Sequence, residues 1–178
     1  PTRLQGSDIS AMGTTNYTRY GVPSSQSIDV EDFLFNSTSN INPCIDFIHL
    51  TNSQDTFVFD LESVKTISKI RIYAGNTTPN WASRNTGSVV KLYNGSTLVY
   101  TSPSLTFSRS SPETYYGPYE EGKDYNTLLF TTGYTNIDKI TVETPSTSAA
   151  LGRVEVNDFT DIPSLTFDTY NKLTVSNF

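Results

Sequence analysis

VVKLYNGSTLVY, residues 89 to 100, is the stretch that most constrains the fold of this chain. Two alternating apolar runs flank Asn94-Gly95. A two-residue type I′ turn needs positive φ at both central positions, which Asn and Gly adopt at least strain, so the spacing predicts a β-hairpin. The same period-two alternation recurs in TFVFDL (56 to 61), KIRIYA (69 to 74), TLLFTT (127 to 132), DKITVET (138 to 144) and LGRVEVNDF (151 to 159). Each run puts its apolar side chains on one face of a strand. No segment keeps i, i+3, i+4, i+7 spacing for three turns, and SQSIDVEDFLF (25 to 35) has room for one short turn, with Ser27 or Asp29 as its cap. Short strands separated by turn signals, without intervening helices, predict an antiparallel sandwich or barrel.

Composition agrees with an aromatic, β-branched interior. The 178 residues include 11 Tyr and 10 Phe but one each of Met, Cys and Trp. That length suits one main domain. The inward faces of two packed sheets are expected from Phe57, Phe59, Leu61, Ile67, Ile70, Ile72, Val90, Leu92, Leu98, Tyr100, Leu129, Ile140, Val142, Val154 and Val156. Residues 1 to 24 read as an irregular N-terminal segment, 25 to 158 as the sandwich and 159 to 178 as a strand-like tail.

Charge and cysteine usage exclude several classes. A net charge of −6 with no Lys or Arg run repels phosphate backbones, so no nucleic-acid partner is expected. No apolar stretch reaches the roughly 20 residues that span a bilayer, which predicts a soluble chain without membrane insertion. Cys44 is the sole cysteine and reads as a small buried apolar residue. Sequons begin at Asn16, Asn36, Asn76 and Asn94, as chance produces in so Asn- and Thr-rich a chain. One His and one Cys exclude a Cys/His zinc cluster, no Gly-x-Ser-x-Gly or phosphate-binding loop occurs, and Glu120-Glu121 reads as a solvated acidic turn rather than a glycosidase pair. The chain is not expected to be an enzyme.

The order and spacing of three segments carry a family likeness. DTFVFDLESVKTISKIRIY, GSVVKLYNGS and TNIDKITVETPSTSAALGRVEVNDF together resemble the discoidin family, also called factor V/VIII type C or galactose-binding-like domains, to which the fucolectins belong. The resemblance covers roughly residues 25 to 158 and implies an all-β, antiparallel jelly-roll β-sandwich of about eight strands. It implies binding through loops at one end of the sandwich.

Fucolectins follow a site histidine, some two dozen residues later, with Arg-x-Asp. Here His49 is followed at that spacing by Ala74-Gly75-Asn76, so the arginine is gone and the aspartate is an asparagine. His49 is therefore expected to be a strand histidine satisfied by a neighbour rather than a fucose ligand, while remaining the residue to test. The lectin branch also holds structural calcium. Asp29, Asp32 and Asp46 are the candidate ligands, but Gly152-Arg153 stands where the lectins place Cys-Glu, and an arginine there would replace the ion's charge. No cofactor is expected, and calcium is not favoured.

Two long unpatterned stretches are the candidate binding loops. Residues 74 to 87 carry Asn76, Asn80, Trp81 and Arg84, an aromatic ring with amide and guanidinium donors that suits a sugar's apolar face and hydroxyl rim; the alternative is a Trp81 plug and an Arg84 ion pair. Residues 107 to 124 carry Tyr115, Tyr116 and Tyr119, and tyrosine gives large contact area at low entropy cost. Two functions fit this pattern. One is a non-catalytic carbohydrate-binding or adhesion module for a glycan or glycoprotein. The other is a virion surface or minor capsid component docking to neighbouring protein subunits. Either places the chain outside the cell or on a virion.

Overall fold

The alternating runs become strands in the computed structural model, which describes residues 1–21, 29–35, 46–51, 55–75, 82–109, 119–159, 164–167 and 173–176. In chain order the strands are β1 (Ile9–Met12), β2 (Tyr17–Tyr20), β3 (Phe47–Leu50), β4 (Thr56–Ala74), β5 (Val89–Asn94), β6 (Thr97–Thr101), β7 (Tyr125–Glu143), β8 (Ala150–Val156), β9 (Ser164–Phe167) and β10 (Leu173–Ser176). The one α-helix described, α1 (Val30–Phe35), falls where a single turn was expected, and the Asp29 carbonyl accepts its first backbone hydrogen bond from Phe33. No described helix is long and apolar enough to cross a membrane.

β4 and β7 are 19 residues each, which would run about 60 Å if straight. They bend instead. Their antiparallel register shifts three times between Asp60 and Lys69, and each strand thereby serves both layers of the sandwich. The first half of β4 pairs with β1 and with the second half of β7, beside β5 and β6. Its second half pairs with β8 and the first half of β7, and the layer continues through β3 to β2. The result is the expected antiparallel jelly-roll β-sandwich.

Between the layers lie Phe57, Phe59, Ile67, Ile70, Ile72, Val90, Leu92, Ile140, Val142, Val154 and Val156, all buried. Phe33, Leu34 and Phe35 of α1 join this core, with Phe35 edge-on to Phe59 at 5.1 Å. Each such side chain contributes roughly 1.5–3 kcal/mol by leaving water. Two residues expected inside are outside: Leu98 is 47% and Leu129 is 70% exposed. Leu129 faces away because its neighbours Leu128 and Phe130 take the inward positions. Leu98 is turned out by a bulge that pairs it with Tyr93 while Tyr100 pairs with Leu92. Tyr100 packs against the core only in part.

The first 21 residues, read from sequence as irregular, supply β1 and β2. Four-residue strands are too short to show a period, and their partners lie some 30 to 50 residues away in β3 and β4. The tail forms an antiparallel hairpin of β9 and β10. Cys44 lies outside the described residues.

Candidate functional site

The bases of the two candidate loops meet at one end of the sandwich. There β4 ends at Ala74 beside the start of β7 at Tyr125, while Leu50 donates its backbone N–H to Ala149 and Gly75 donates to Ala150. His49 lies on β3 at this end, opposite Thr18 of β2 and Ala150 of β8. Alternation sends Ile48 and Leu50 into the core, so His49 and Phe47 face the other way. Tyr20 covers this face, stacked on Phe47 at 4.9 Å and edge-on to His49 at 6.0 Å.

Arg84 arrives by a separate route. It sits on a 3-10 turn, Ala82–Asn85, that Asn85 fastens to the sheet by donating from Nδ2 to the carbonyls of Ala82 (3.3 Å) and Ala150 (2.9 Å). Ala150 is the residue paired with His49, so the fastening brings Arg84 to the histidine. Burial holds the His49 pKa below its usual 6.5, and the positive charge of Arg84 adds to the effect, against a hydrogen bond to the Ser148 backbone. The pair is thus a neutral imidazole beside a fixed cation, both half-buried. Such a pair sets an imidazole with a buried Nε2 beside guanidinium N–H donors, which suit a polar, uncharged ligand.

Gly75, which closes β4, is required by packing: a Cβ there would lie 2.3 Å from Cγ of Phe47. Its N–H donates to the same Ala150 carbonyl that Asn85 holds, which ties the start of the Trp81 loop to β8.

Tyr119 belongs to the second candidate loop. Its ring stands edge-on to Tyr73 at 5.9 Å, and Tyr73 in turn packs on Tyr125 at 5.2 Å. Burial, more than the nearby Glu155 carboxylate, pushes the Tyr73 phenol up to about 12. Tyr73 is therefore a packing residue, neutral at any ordinary pH, and Tyr125 packs against it. Asn76, Asn80, Trp81, Tyr115 and Tyr116 lie outside the described residues.

The acidic candidates lie on two separate elements. Asp29 and Asp32 lie beside the 3-10 turn at Gly6–Asp8, where the Asp32 carboxylate fills the space a side chain at Gly6 would need. Asp46 is buried just before β3. Among the described residues no three His, Cys, Asp or Glu side chains gather to hold a metal ion. Arg153 instead joins a cluster with Glu155 (3.8 Å), Arg71 and Arg3 on the outer face of the sheet, its guanidinium 5.9 Å from the Tyr73 ring. Glu120 and Glu121 are engaged locally, Glu120 with Lys123 and Arg109, and Glu121 with the amide and hydroxyl of Thr127.

Three features of this end escape a linear reading. Tyr20 covers His49, Asn85 places Arg84, and Arg109 joins Asp124 across the base of the tyrosine loop. Each depends on partners at least 15 residues away; the one local clue is Asn in a loop, a residue type that caps and braces turns.

No protein-family model matches the sequence, and no curated protein does. Solved structures do. The family 32 CBM from C. perfringens NanJ, in complex with galactose, superposes with a TM-score of 0.51 at 13% identity, covering 87% of this chain and 97% of that one. A Streptococcus pneumoniae fucose binding module gives 0.49 at 17% identity, over 86% and 94%. The lectin domain of lectinolysin complexed with Lewis B antigen gives 0.47 at 22% identity, over 64% and 72%. The first of these carries the comparison, and it is a comparison of fold. The chain shares the β-sandwich fold of that module, the fold that the resemblance to galactose-binding-like, discoidin-type domains implies.

Proposed function

We propose that this chain is a non-catalytic carbohydrate-binding module, recognising a glycan or glycoprotein outside the cell through the loops at the His49 end of the sandwich. The observation that carries this reading is the approach of His49 and Arg84, 35 positions apart, where Asn85 fastens the Arg84 turn to Ala150, the strand partner of His49. The Arg-x-Asp motif of the fucolectins is missing at positions 74 to 76, and Arg84 takes the place of the absent cation. In support, the structure with the NanJ module's fold is one described with galactose bound. Asn76, Asn80 and Trp81 from one loop, and Tyr115, Tyr116 and Tyr119 from the other, complete the proposed surface, with rings for the sugar's apolar face and amides for its rim. Binding rather than turnover fits a site whose titratable group is a lone imidazole next to a guanidinium. The structural comparisons lend no support to a virion or capsid component.

A glycan array followed by calorimetry with free galactose and fucose tests the reading. His49→Ala and Arg84→Ala should each weaken binding by about tenfold or more, the effect of losing a hydrogen bond of roughly 1.5–3 kcal/mol to or from a charged or buried partner. Melting temperatures should stay close to that of the unsubstituted chain. A folded chain that binds nothing on a broad array sinks the proposal, and unchanged affinity in both variants moves the site away from this end.

A further inference from the structure

The two candidate loops are joined to each other. The tyrosine-rich loop leaves the sheet after β6 and returns to β7, and its two arms are closed at the base by Arg109 and Asp124. Arg109 Nε donates to Asp124 Oδ1 at 2.9 Å and Nη2 to Oδ2 at 2.5 Å, a forked pair, while Nη2 also reaches Glu120 at 3.3 Å. Asp124 is almost fully buried, and its Oδ2 accepts the Glu120 amide at 2.9 Å as well. Backbone bonds from Ser108 to Gly122 and from Arg109 to Lys123 zip the arms together. The Asp124 carbonyl accepts the Ala74 amide at 2.9 Å, next to Gly75 at the start of the other loop.

The outgoing arm then grips the segment that bears Arg84. The Thr86 hydroxyl accepts the Phe107 amide at 2.9 Å and donates to the Phe107 carbonyl at 3.0 Å. Gly87 donates to Leu105 and Leu105 to Ser88, each at 2.8 Å. One residue before Thr86, Asn85 holds the Ala150 carbonyl opposite His49. Hydrogen bonds alternating with short stretches of chain therefore lead from Asp124 through Arg109, Phe107, Thr86 and Asn85 to the strand pair carrying His49.

We propose that the Arg109–Asp124 pair, linked through Phe107 and Thr86 to the Arg84 turn, is a positioning clamp that ties the Tyr119–Asp124 segment to the Arg84 turn and so keeps the His49–Arg84 pair preorganised for a glycan. The inference rests on the carbohydrate-binding reading above and adds to it residues that touch no sugar. A forked guanidinium–carboxylate pair fixes direction as well as distance, which a single lysine contact does not. Preorganisation raises affinity by removing the ordering cost otherwise met on binding.

The test uses Arg109→Ala, Arg109→Lys, Thr86→Val and the Arg109→Ala/Thr86→Val double variant of the full chain. Two readouts are taken: hydrogen exchange at the amides of Phe107, Arg109 and Lys123, and affinity for the galactose- and fucose-terminated oligosaccharides of a glycan array. Arg109→Ala should speed exchange at the loop base by about tenfold and weaken oligosaccharide binding by about five- to tenfold, with Arg109→Lys between it and the unsubstituted chain. Thr86→Val, at an exposed position, should weaken binding by about threefold, and the double variant should lose clearly less than the product of the single losses, because both act through one link. Should Arg109→Ala fail to fold, Arg109→Lys and Thr86→Val carry the same comparison. Faster exchange with unchanged affinity overturns the clamp, as do losses that multiply in the double variant. If His49→Ala and Arg84→Ala abolish binding while the clamp variants do not, only this inference falls; an unsubstituted chain that binds no glycan removes the functional reading and this inference with it.

Discussion

Replacing Gly75 by alanine should destabilise the protein by an amount the packing fixes in advance. The new Cβ would lie 2.3 Å from Cγ, 2.6 Å from Cβ and 2.7 Å from Cδ1 of Phe47. These atoms are at the root of the ring, and Phe47 is fully buried and stacked on Tyr20, so the ring has no open direction in which to swing. Overpacking of this kind typically costs ~1–3 kcal/mol, and three sub-contact distances on an immobile ring place this one in the upper half. Against it, alanine removes about 0.4–1 kcal/mol of unfolded-chain entropy. The net loss is about 1–2.6 kcal/mol, or a melting temperature lower by about 2–10 °C at the ~2–4 °C per kcal/mol expected for a domain of this size. Thermal denaturation followed by circular dichroism measures it. Adding Phe47→Ala, which removes Cγ and Cδ1, should relieve most of the clash, leaving the double variant less destabilised than the summed singles by more than about 0.5 kcal/mol. An unchanged or raised melting temperature in Gly75→Ala would refute the reasoning that Phe47 is fixed in place.

Three further outcomes follow from the structure. Asn157 sits at φ 65°, almost fully buried, accepting from the Ser68 amide and donating to the carbonyls of Thr66 and Thr2; Asn157→Ala should cost about 2–4 kcal/mol in denaturant titrations, because buried backbone groups lose partners and the left-handed backbone disfavours alanine. The His49 pKa is lower in the folded chain than the ordinary 6.5, so below that pH the unfolded chain takes up a proton the folded chain resists; stability should fall as pH drops from 6.5 toward the folded value, and His49→Gln should flatten that part of a melting-temperature profile. Chelation with EDTA should move the melting temperature by less than about 2 °C, since Asp29, Asp32 and Asp46 do not gather; a shift beyond about 5 °C would mean that an ion is bound after all.

The sequence by itself determined the strands and the hairpin, and hence the class of fold. Alternation in TFVFDL and KIRIYA and the presence of a tight turn after Tyr93 are properties of neighbours in the chain; the turn itself falls one residue later than Asn94-Gly95, on Gly95 (φ 58°) and Ser96, because Asn94 stays in the strand and pairs with Thr97. Leu98 and Leu129 went astray because period two tells which residues share a face, but a bulge or an adjacent Leu-Leu pair leaves open which face turns inward. β1 and β2 were hidden for a related reason: a four-residue strand is defined by the partner it pairs with, and its partner is distant in the chain. His49 and Arg84 were each visible as residue types, yet their meeting was not, since it depends on the β3–β8 register and on Asn85 reaching Ala150 across 65 positions. The same holds for the route from Asp124 to Thr86, which is built from one side-chain ion pair 15 residues apart, backbone groups and one threonine hydroxyl that carry no motif. Local chemistry fixes what each segment can become; only the long-range register of the sheets decides which side chains share one end of the sandwich.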